Sequence, residues 1–446
     1  MGLEAKAAAR LFGTDGVRGR AGEFLTPELA LALGRGAATT ASAPEPQVLI
    51  VRDTRESGHM LEAALAAGIA AAGGQAVLAG VLPTPGAALL VRRYGFDMAV
   101  VVSASHNPYQ DNGIKFFGPD GMKLSDQAEL AIEAQVTDPK GPADHSGRVR
   151  ELHGAAGDYL RELHVRFADL DLSGRRVLLD CAHGATFMVA PEIFRRLGAH
   201  VDVIAAEPDG RNINEGCGST HVEALAERVA AEGHDVGFAF DGDGDRVLAV
   251  DRSGAVVDGD ELIAMAAVHL RDSGRLTGGG VAVTVMTNYG FHQAMEGLGI
   301  EVATTAVGDR AVLAELVQRG WALGGEQSGH IIDTGFVPSG DGTASALLTL
   351  EALAGADLAD RDAMDKLPQL LVNVTVADRG GLEGATAVWD AVREQDAALE
   401  GRGRVLVRPS GTEPLVRVMV EAPTEDECRQ VTELLVAVVE RELGAA

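Results

Sequence analysis

Three stretches of the chain repeat one order of signals: a β-branched strand, a loop, a helix stopped by glycine, and a second strand. They start at "VLIVRD" from Val48, at "VLLDCAHGATFMVAPEIFRRLGAHVDVI" from Val177 and at "VAVTVMTNYGFHQAMEGLGIEVATTAV" from Val281. The stopping glycines are Gly73, Gly198 and Gly299. A residue without Cβ at such a place can take the left-handed conformation that ends a helix. The helix of the first unit is expected to take its N-cap near Ser57. A second helix and an apolar strand then follow in each unit. "MAVVV" runs into "SASHNP", "VGFAF" into "DGDGDR", and "WALGG" into "EQSGH". Strands alternating with helices build α/β sheets. In open sheets of this kind, ligands bind beyond the carboxyl ends of the strands. Three polar loops at equivalent places are therefore expected to face one cleft.

The pattern changes after Leu367. "LLVNVTVAD", a helix over 386–399, "GRVLVRP", "LVRVMVEA" and a last amphipathic helix read as a smaller unit with its own loop, "RPSGTEP". The expected fold is thus α/β. Three similar α/β domains with mixed sheets would occupy residues 1–150, 151–254 and 255–368. A smaller C-terminal α+β domain would occupy 369–446, with all four arranged around a central cleft. The stretch from Thr137 to Arg148 reads as the first linker. A length of 446 residues suits this division, since one core rarely serves more than about 250 residues.

Charge and cysteine usage narrow the function classes. The net charge is −27, from 38 basic and 65 acidic residues. That argues against nucleic acid or an anionic membrane as partner. It leaves room for an anionic small molecule, because a few local arginines override the global field. Cys181, Cys217 and Cys428 are odd in number and far apart, without metal-ligand spacing. They point to a reducing compartment. The stretch "MGLEAKAAARLFGTDG" lacks the apolar core of a signal peptide. The Ala-rich helix from Leu61 to Gly74 is broken by Glu62, Gly68 and Gly73 and is too short to span a bilayer. A cytoplasmic protein is expected.

"DGDGD" carries Asp241, Asp243 and Asp245 at alternate positions, which an extended loop turns to one side. Three carboxylates so placed repel unless a cation neutralises them, and hard oxygen ligands suit Mg²⁺ or Ca²⁺. An EF-hand is excluded: position six is Arg246 instead of glycine, and position twelve is Arg252 instead of glutamate. With three protein carboxylates, the ion lacks a further anionic ligand, for which a phosphate is suited. In "SASHNP", Ser103 or Ser105 could carry a phosphoryl group, or the stretch could be a plain Asn-Pro turn. No G-x-S-x-G elbow surrounds either serine, and His106 is free to hold the loop. "RPSGTEP", with Arg417 nearby, combines guanidinium, hydroxyls and glycine backbone, the groups that a phosphate dianion needs. Glu326, Ser328 and His330 in "EQSGH" could grip sugar hydroxyls. "FGTDGVRG" follows no strand and is not G-x-G-x-x-G, and the chain has no G-x-x-x-x-G-K-[ST]. Dinucleotide and P-loop nucleotide chemistry are therefore unsupported.

Taken together and in order, "FGTDGVRG", "SASHNP" with "DNGIKFF", "DGDGDR", "GEQSGH" and "RPSGTEP" resemble the α-D-phosphohexomutase superfamily. These motifs span residues 12 to 414. The "GEQSGH" and "GIKFF" wording is similar to the glucosamine branch rather than the glucose and mannose branches. The resemblance implies that Ser105 is the phosphorylated serine and Ser103 a loop residue. It implies Mg²⁺, one per chain, on Asp241, Asp243, Asp245 and the phosphorylated Ser105. Arg408, Ser410, Gly411, Thr412 and Arg417 then match the phosphate-gripping loop, and Glu326, Ser328 and His330 the sugar-reading loop. Lys115 and Arg18 fall where the family has catalytic basic groups, with Arg246 beside them, and Lys115 is the candidate general base.

The implied reaction interconverts glucosamine 6-phosphate and glucosamine 1-phosphate through a sugar 1,6-bisphosphate, which also acts as activator. It would supply amino-sugar nucleotide and cell-wall precursors. The partner would be a small sugar phosphate, with no nucleic acid or membrane, and the protein a monomer or homodimer. The family usually has a larger side chain after "VGDR", where this chain has Ala311. Two other classes stay open on the residues alone: a Mg²⁺-dependent phosphatase, and a sugar-phosphate- or Ca²⁺-binding protein without turnover.

Overall fold

The computed structural model describes residues 10–139, 141, 143–410 and 413–444. The first sheet contains β1 (Val17–Arg20), β2 (Gln47–Arg52), β3 (Gln75–Val81), β4 (Met98–Val102), β5 (Asp111–Phe117) and β6 (Arg148–Glu151), in the order β1-β5-β4-β2-β3-β6. The second contains β7 (Arg176–Asp180), β8 (His200–Ile204), β9 (Val236–Phe240), β10 (Val247–Asp251) and β11 (Val256–Val257), in the order β11-β10-β9-β7-β8. The third contains β12 (Gly280–Thr284), β13 (Glu301–Thr305), β14 (Leu323–Gly325) and β15 (Ile331–Asp333), in the order β13-β12-β14-β15. The last is β16 (Gln369–Thr375), β17 (Arg404–Pro409) and β18 (Leu415–Glu421), in the order β16-β18-β17 and antiparallel throughout.

The three larger sheets share one plan. In each, the opening strand of the repeat lies parallel to the strand that enters the polar loop: β2 with β4, β7 with β9 and β12 with β14. The chain then turns back antiparallel, as β5, β10 and β15. The sheets are mixed, as the sequence leads one to expect. The inner strands are apolar on both faces because both faces are covered. Val48, Leu49, Ile50 and Val51 of β2 have no exposed surface, and all five residues of β4 and of β9 are buried. Separate clusters underlie the sheets. Leu29, Ile50, Leu65 and Val100 belong to the first, Leu178, Leu225 and Val250 to the second. Ala282, Leu316 and Trp321 belong to the third, Val374, Val418 and Leu435 to the last.

The predicted stops hold. Gly73, Gly198 and Gly299 have φ of +85°, +98° and +67°. The second helix of each unit also ends on a left-handed glycine: Thr84–Tyr94 on Gly95, Glu223–Glu232 on Gly233 and Asp309–Arg319 on Gly320. Ser57 does precede the helix Gly58–Ala71 but makes no side-chain cap; its hydroxyl accepts from Asn112 Nδ2 on β5 at 2.9 Å. The stretch read as a linker starts at the last residue of the helix Asp126–Thr137 and ends at the first of β6, an edge strand parallel to β3. By contacts, the described residues fall into two compact units. One is drawn from Met1–Val285 and Ala303–Arg361, the other from Met286–Val302 and Asp362–Ala446. Among the described residues, no helix is long and apolar enough to cross a membrane.

Candidate active site

In the first unit the loops after β4, β9 and β14 meet. Ser105 lies just beyond β4, is 2% exposed, and has a φ of +52°. A left-handed conformation costs a residue with a Cβ about 1–3 kcal/mol and survives only where the surroundings over-determine it. Here they do. Ser105 N–H donates to Ser103 Oγ at 3.0 Å, and Ser103 Oγ donates to Asp53 Oδ2 at 2.6 Å. Arg55, with no exposed surface, pairs with Asp53 at 2.8 Å. Its other nitrogens donate to the carbonyls of Ser105, Asn107, Pro108 and Asp111. Ser103 thus spends its hydroxyl on Asp53 and the Ser105 backbone, and Ser105 is the serine left facing the next loop.

Ser105 Oγ donates to Asp241 Oδ2. Asp241, Asp243 and Asp245 are all buried, and each offers a carboxylate oxygen within 4.8 Å of the others. Burial, then the charges of Asp245 and Asp243, push the Asp241 carboxyl well above its ordinary pKa. Thr84 Oγ1 and Lys115 Nζ both donate to Asp243 Oδ2, at 2.6 and 2.8 Å. Asp243 Oδ1 and Asp245 Oδ1 are buried without any protein donor. An oxygen-only set of three carboxylates with two orphaned acceptors fits a hard divalent cation.

The glycines of this loop permit the approach. A Cβ on Gly242 would sit 2.5 Å from Ser105 O and 2.8 Å from Asn214 Nδ2. Gly242→Ala is therefore expected to pry the serine loop from the aspartates. It should lower stability by about 1–3 kcal/mol, with a larger proportional loss in activity; thermal melts and kcat read out the two effects.

Lys115, on β5, is 1% exposed. Its ammonium lies 3.2 Å from Asp15, 2.8 Å from Asp243 and 3.9 Å from Asp245. Burial alone would lower its pKa, but the three carboxylates outweigh burial and hold it above the ordinary lysine range. Lys115 therefore enters the site as an ammonium paired with the carboxylates that would hold a cation. Asp15, in "FGTDGVRG", also pairs with Arg18 and Lys123, and Lys123 reaches on to Asp309. Burial would raise the Asp15 carboxyl, yet Lys115, Lys123 and Arg18 keep it well below the usual range. Arg246 is half-buried, with Nε 3.9 Å from Asp245, and its backbone N–H donates to Asp241 at 3.2 Å.

The loop after β14 is less uniform than its pattern suggests. Glu326 accepts from Gly308 N–H at 3.1 Å, and Ser328 is exposed. His330, expected to grip sugar, is only 3% exposed. Gly340 N–H donates to its Nε2 at 3.1 Å, which places the ring proton on Nδ1, 3.7 Å from Asp245. Its ring faces the aspartate cluster. Ala311 falls in the first turn of the helix Asp309–Arg319, where Arg310 pairs with Asp126 and Glu129.

In the second unit, Arg408 and Arg417 oppose one another on β17 and β18. Burial, then the charge of Arg417, lowers the pKa of Arg408. Two guanidinium groups so placed favour an anion. Ser410 is 4% exposed, and Arg379 donates to its carbonyl at 2.8 Å. Gly411 and Thr412 lie outside the described residues.

Sequence reasoning passed over Asp53, Arg55, Asp15, Lys123 and Asn214. Asp53 and Arg55 follow β2 at its carboxyl end, the position that the sheet rule singles out, so "VRDTR" did carry a signal. Asp15 sat inside a stretch already marked by its glycines. Lys123 and Asn214 had no local signature.

Residues 9–141, 152–254 and 258–371 match the family descriptions "Phosphoglucomutase/phosphomannomutase, alpha/beta/alpha" domains I, II and III. Residues 371–438 match the C-terminal domain of the same family. The chain is 49% identical over 445 residues to "Phosphoglucosamine mutase" of Geobacillus kaustophilus (strain HTA426), covering 98% of this chain and 99% of that protein. Among solved structures, a phosphoglucomutase/phosphomannomutase family protein from Burkholderia thailandensis superposes with a TM-score of 0.82 at 23% identity, over 98% of this chain and 99% of that one. Aspergillus fumigatus N-acetylphosphoglucosamine mutase, solved in complex with GlcNAc-6P and magnesium, gives 0.69 at 17% identity, over 99% and 98%.

Proposed function

The chain belongs to the phosphoglucomutase/phosphomannomutase family, and on that premise we propose that it interconverts glucosamine 6-phosphate and glucosamine 1-phosphate through a phosphorylated Ser105. It is an isomerase, a phosphomutase. One observation carries the reading of the site: the Ser105 hydroxyl is bonded into a buried cluster of three aspartates, two of whose oxygens have no protein donor.

The O1 hydroxyl of bound glucosamine 6-phosphate attacks phosphorus on Ser105. The Oγ–P bond breaks as the O1–P bond forms; the proton lost by O1 is made up at Oγ, and Lys115 is the candidate to carry it between them. The 1,6-bisphosphate turns within the site. Its O6 phosphoryl group then passes back to Ser105 by the same exchange, leaving glucosamine 1-phosphate. Lys115, Arg18 and Arg246 set positive charge beside the transferring group, and such positioning and charge supply most of what phosphoryl transfer needs. Asp241, Asp243 and Asp245 would hold Mg²⁺, which supplies further positive charge against the phosphoryl oxygens. Arg408, Ser410, Gly411, Thr412 and Arg417 take the phosphate that is not being transferred. Glu326 and Ser328 face the sugar hydroxyls, and His330 orients Asp245. We place domain borders near residues 150, 254 and 368. We place the enzyme in the cytoplasm, in accord with three cysteines that are buried and unpaired.

The test is a product assay by phosphorus NMR with glucosamine, glucose and mannose 6-phosphates. The expected result is the 1-phosphate isomer with only traces of orthophosphate. The kcat/KM for the glucosamine substrate should lead the others by at least about tenfold. Orthophosphate as main product would replace the mutase with a phosphatase, and equal kcat/KM for the three sugars would remove the glucosamine assignment.

A further inference from the structure

We propose that Asn214 is a positioning residue for phosphoryl transfer: its side-chain amide clamps the backbone of Ser105 and ties it to the segment that supports the aspartate loop. The proposal rests on Ser105 as the phosphoryl carrier. Asn214 Nδ2 donates to Ser105 O at 2.9 Å and to Asn107 O at 3.1 Å, so both amide hydrogens go to the serine loop. Arg55 Nη2 donates to the same two carbonyls, at 2.8 Å each. Both lone pairs of Ser105 O are thus engaged, while its N–H is held by Ser103. Only rotation of the side chain is left to the serine.

The two donors do different work. Arg55 follows β2, in the same sheet as β4, so it travels with the serine loop. Asn214 lies in the segment after β8, in the sheet that carries the aspartates. Its N–H donates to Ala182 O at 2.9 Å. Beyond the strand ends of that sheet, Ala185 N–H donates to Gly242 O at 2.8 Å, and Ser219 N–H to Phe240 O at 2.8 Å. Asn214 therefore fixes the serine relative to Asp241 and not merely within its own loop. Strain gathers at the same place. Among the described residues, six non-glycine residues have positive φ, and five of them are Ser105, Ala182, His183, Ala205 and Asn214 itself. Strain kept at one point marks a geometry that its surroundings enforce. Asparagine suits the post because it tolerates the left-handed conformation, here φ +60°, better than most residues.

That tolerance decides the variants. Asn214→Asp keeps shape and backbone preference but loses both donors; Asn214→Gly keeps only the backbone preference. With kcat counted per phosphorylated Ser105 from intact mass, both should fall on the order of 10- to 100-fold, the loss typical of a misplaced reacting group. KM should stay within about twofold, since Asn214 touches no substrate. Thr54→Val is the control. It removes a hydroxyl that joins the same two sheets, donating to His183 O at 2.6 Å, without touching Ser105, and it should leave kcat within about twofold. Near-normal kcat in both Asn214 variants, a loss confined to KM, or an equal loss in Thr54→Val would each overturn the proposal. Wild-type protein unable to pass phosphate from Ser105 would instead overturn the serine assignment beneath it.

Discussion

Ser105→Ala is expected to abolish turnover, lowering kcat by on the order of 10⁵-fold, because no other group can take over a covalent carrier. The purified wild-type protein should include a fraction heavier by one phosphoryl group, and that fraction should vanish in the variant. Neighbouring hydroxyls offer no detour. Ser103 Oγ is held between Asp53 and the Ser105 amide, and Thr84 Oγ1 is held by Asp243. The geometry adds a second, independent expectation. Position 105 has a φ of +52°, which alanine resists and glycine does not. Ser105→Gly should be as inactive as Ser105→Ala yet more stable by about 1 kcal/mol. An alanine variant with a tenth of wild-type turnover would end the serine assignment, and an alanine variant as stable as the glycine one would end the account of its backbone.

Removal of divalent cations is the second large effect. Chelation should silence the enzyme and Mg²⁺ restore it. The charge beside the phosphoryl group is worth several kcal/mol, on the order of a thousandfold in kcat. The metal-free protein gives a sharper test than activity alone. In the folded state, burial and the charges of Asp245 and Asp243 raise the Asp241 carboxyl above its ordinary pKa. A group so raised weakens the fold when ionised, and that cost is relieved as pH falls through its folded pKa. Asp241→Asn removes the cost at neutral pH. It should raise the metal-free melting point, by about 1 kcal/mol in stability, while abolishing activation by Mg²⁺. Asp243→Asn should behave differently, since Asp243 also holds Lys115 at 2.8 Å inside the protein. Removing that partner leaves a buried ammonium with less to pair with, and the melting point should fall. Calorimetry of both variants, with and without Mg²⁺, decides it; two variants that shift alike would contradict the charge arrangement.

Much of this protein is legible in its sequence. The threefold strand–helix pattern and its stopping glycines are properties of neighbouring residues. So are the continuous apolar strands that run into "SASHNP", "DGDGDR" and "EQSGH". Period and backbone preference act over a few positions, so a linear text carries them. The carboxyl-end rule then marks these three loops, and the residue types in two of them suggest a cation and a phosphate. His330 shows where such reading stops: its spacing with Glu326 and Ser328 suggested a sugar contact, but packing under Gly340 turns its ring toward Asp245.

What tertiary structure alone decided is pairing. The Ser105–Asp241 contact joins residues 136 positions apart, Lys115–Asp243 spans 128 and Lys123–Asp309 spans 186. The buried Arg55–Asp53 pair was in plain sight as sequence, but its hold on the Ser105 carbonyl, and that of Asn214, was not. Hydrogen bonds and ion pairs depend on where the folded sheets set their loops. No rule of neighbouring residues encodes which of two serines meets which of three aspartates; only the packing of one sheet's strand ends against another's does.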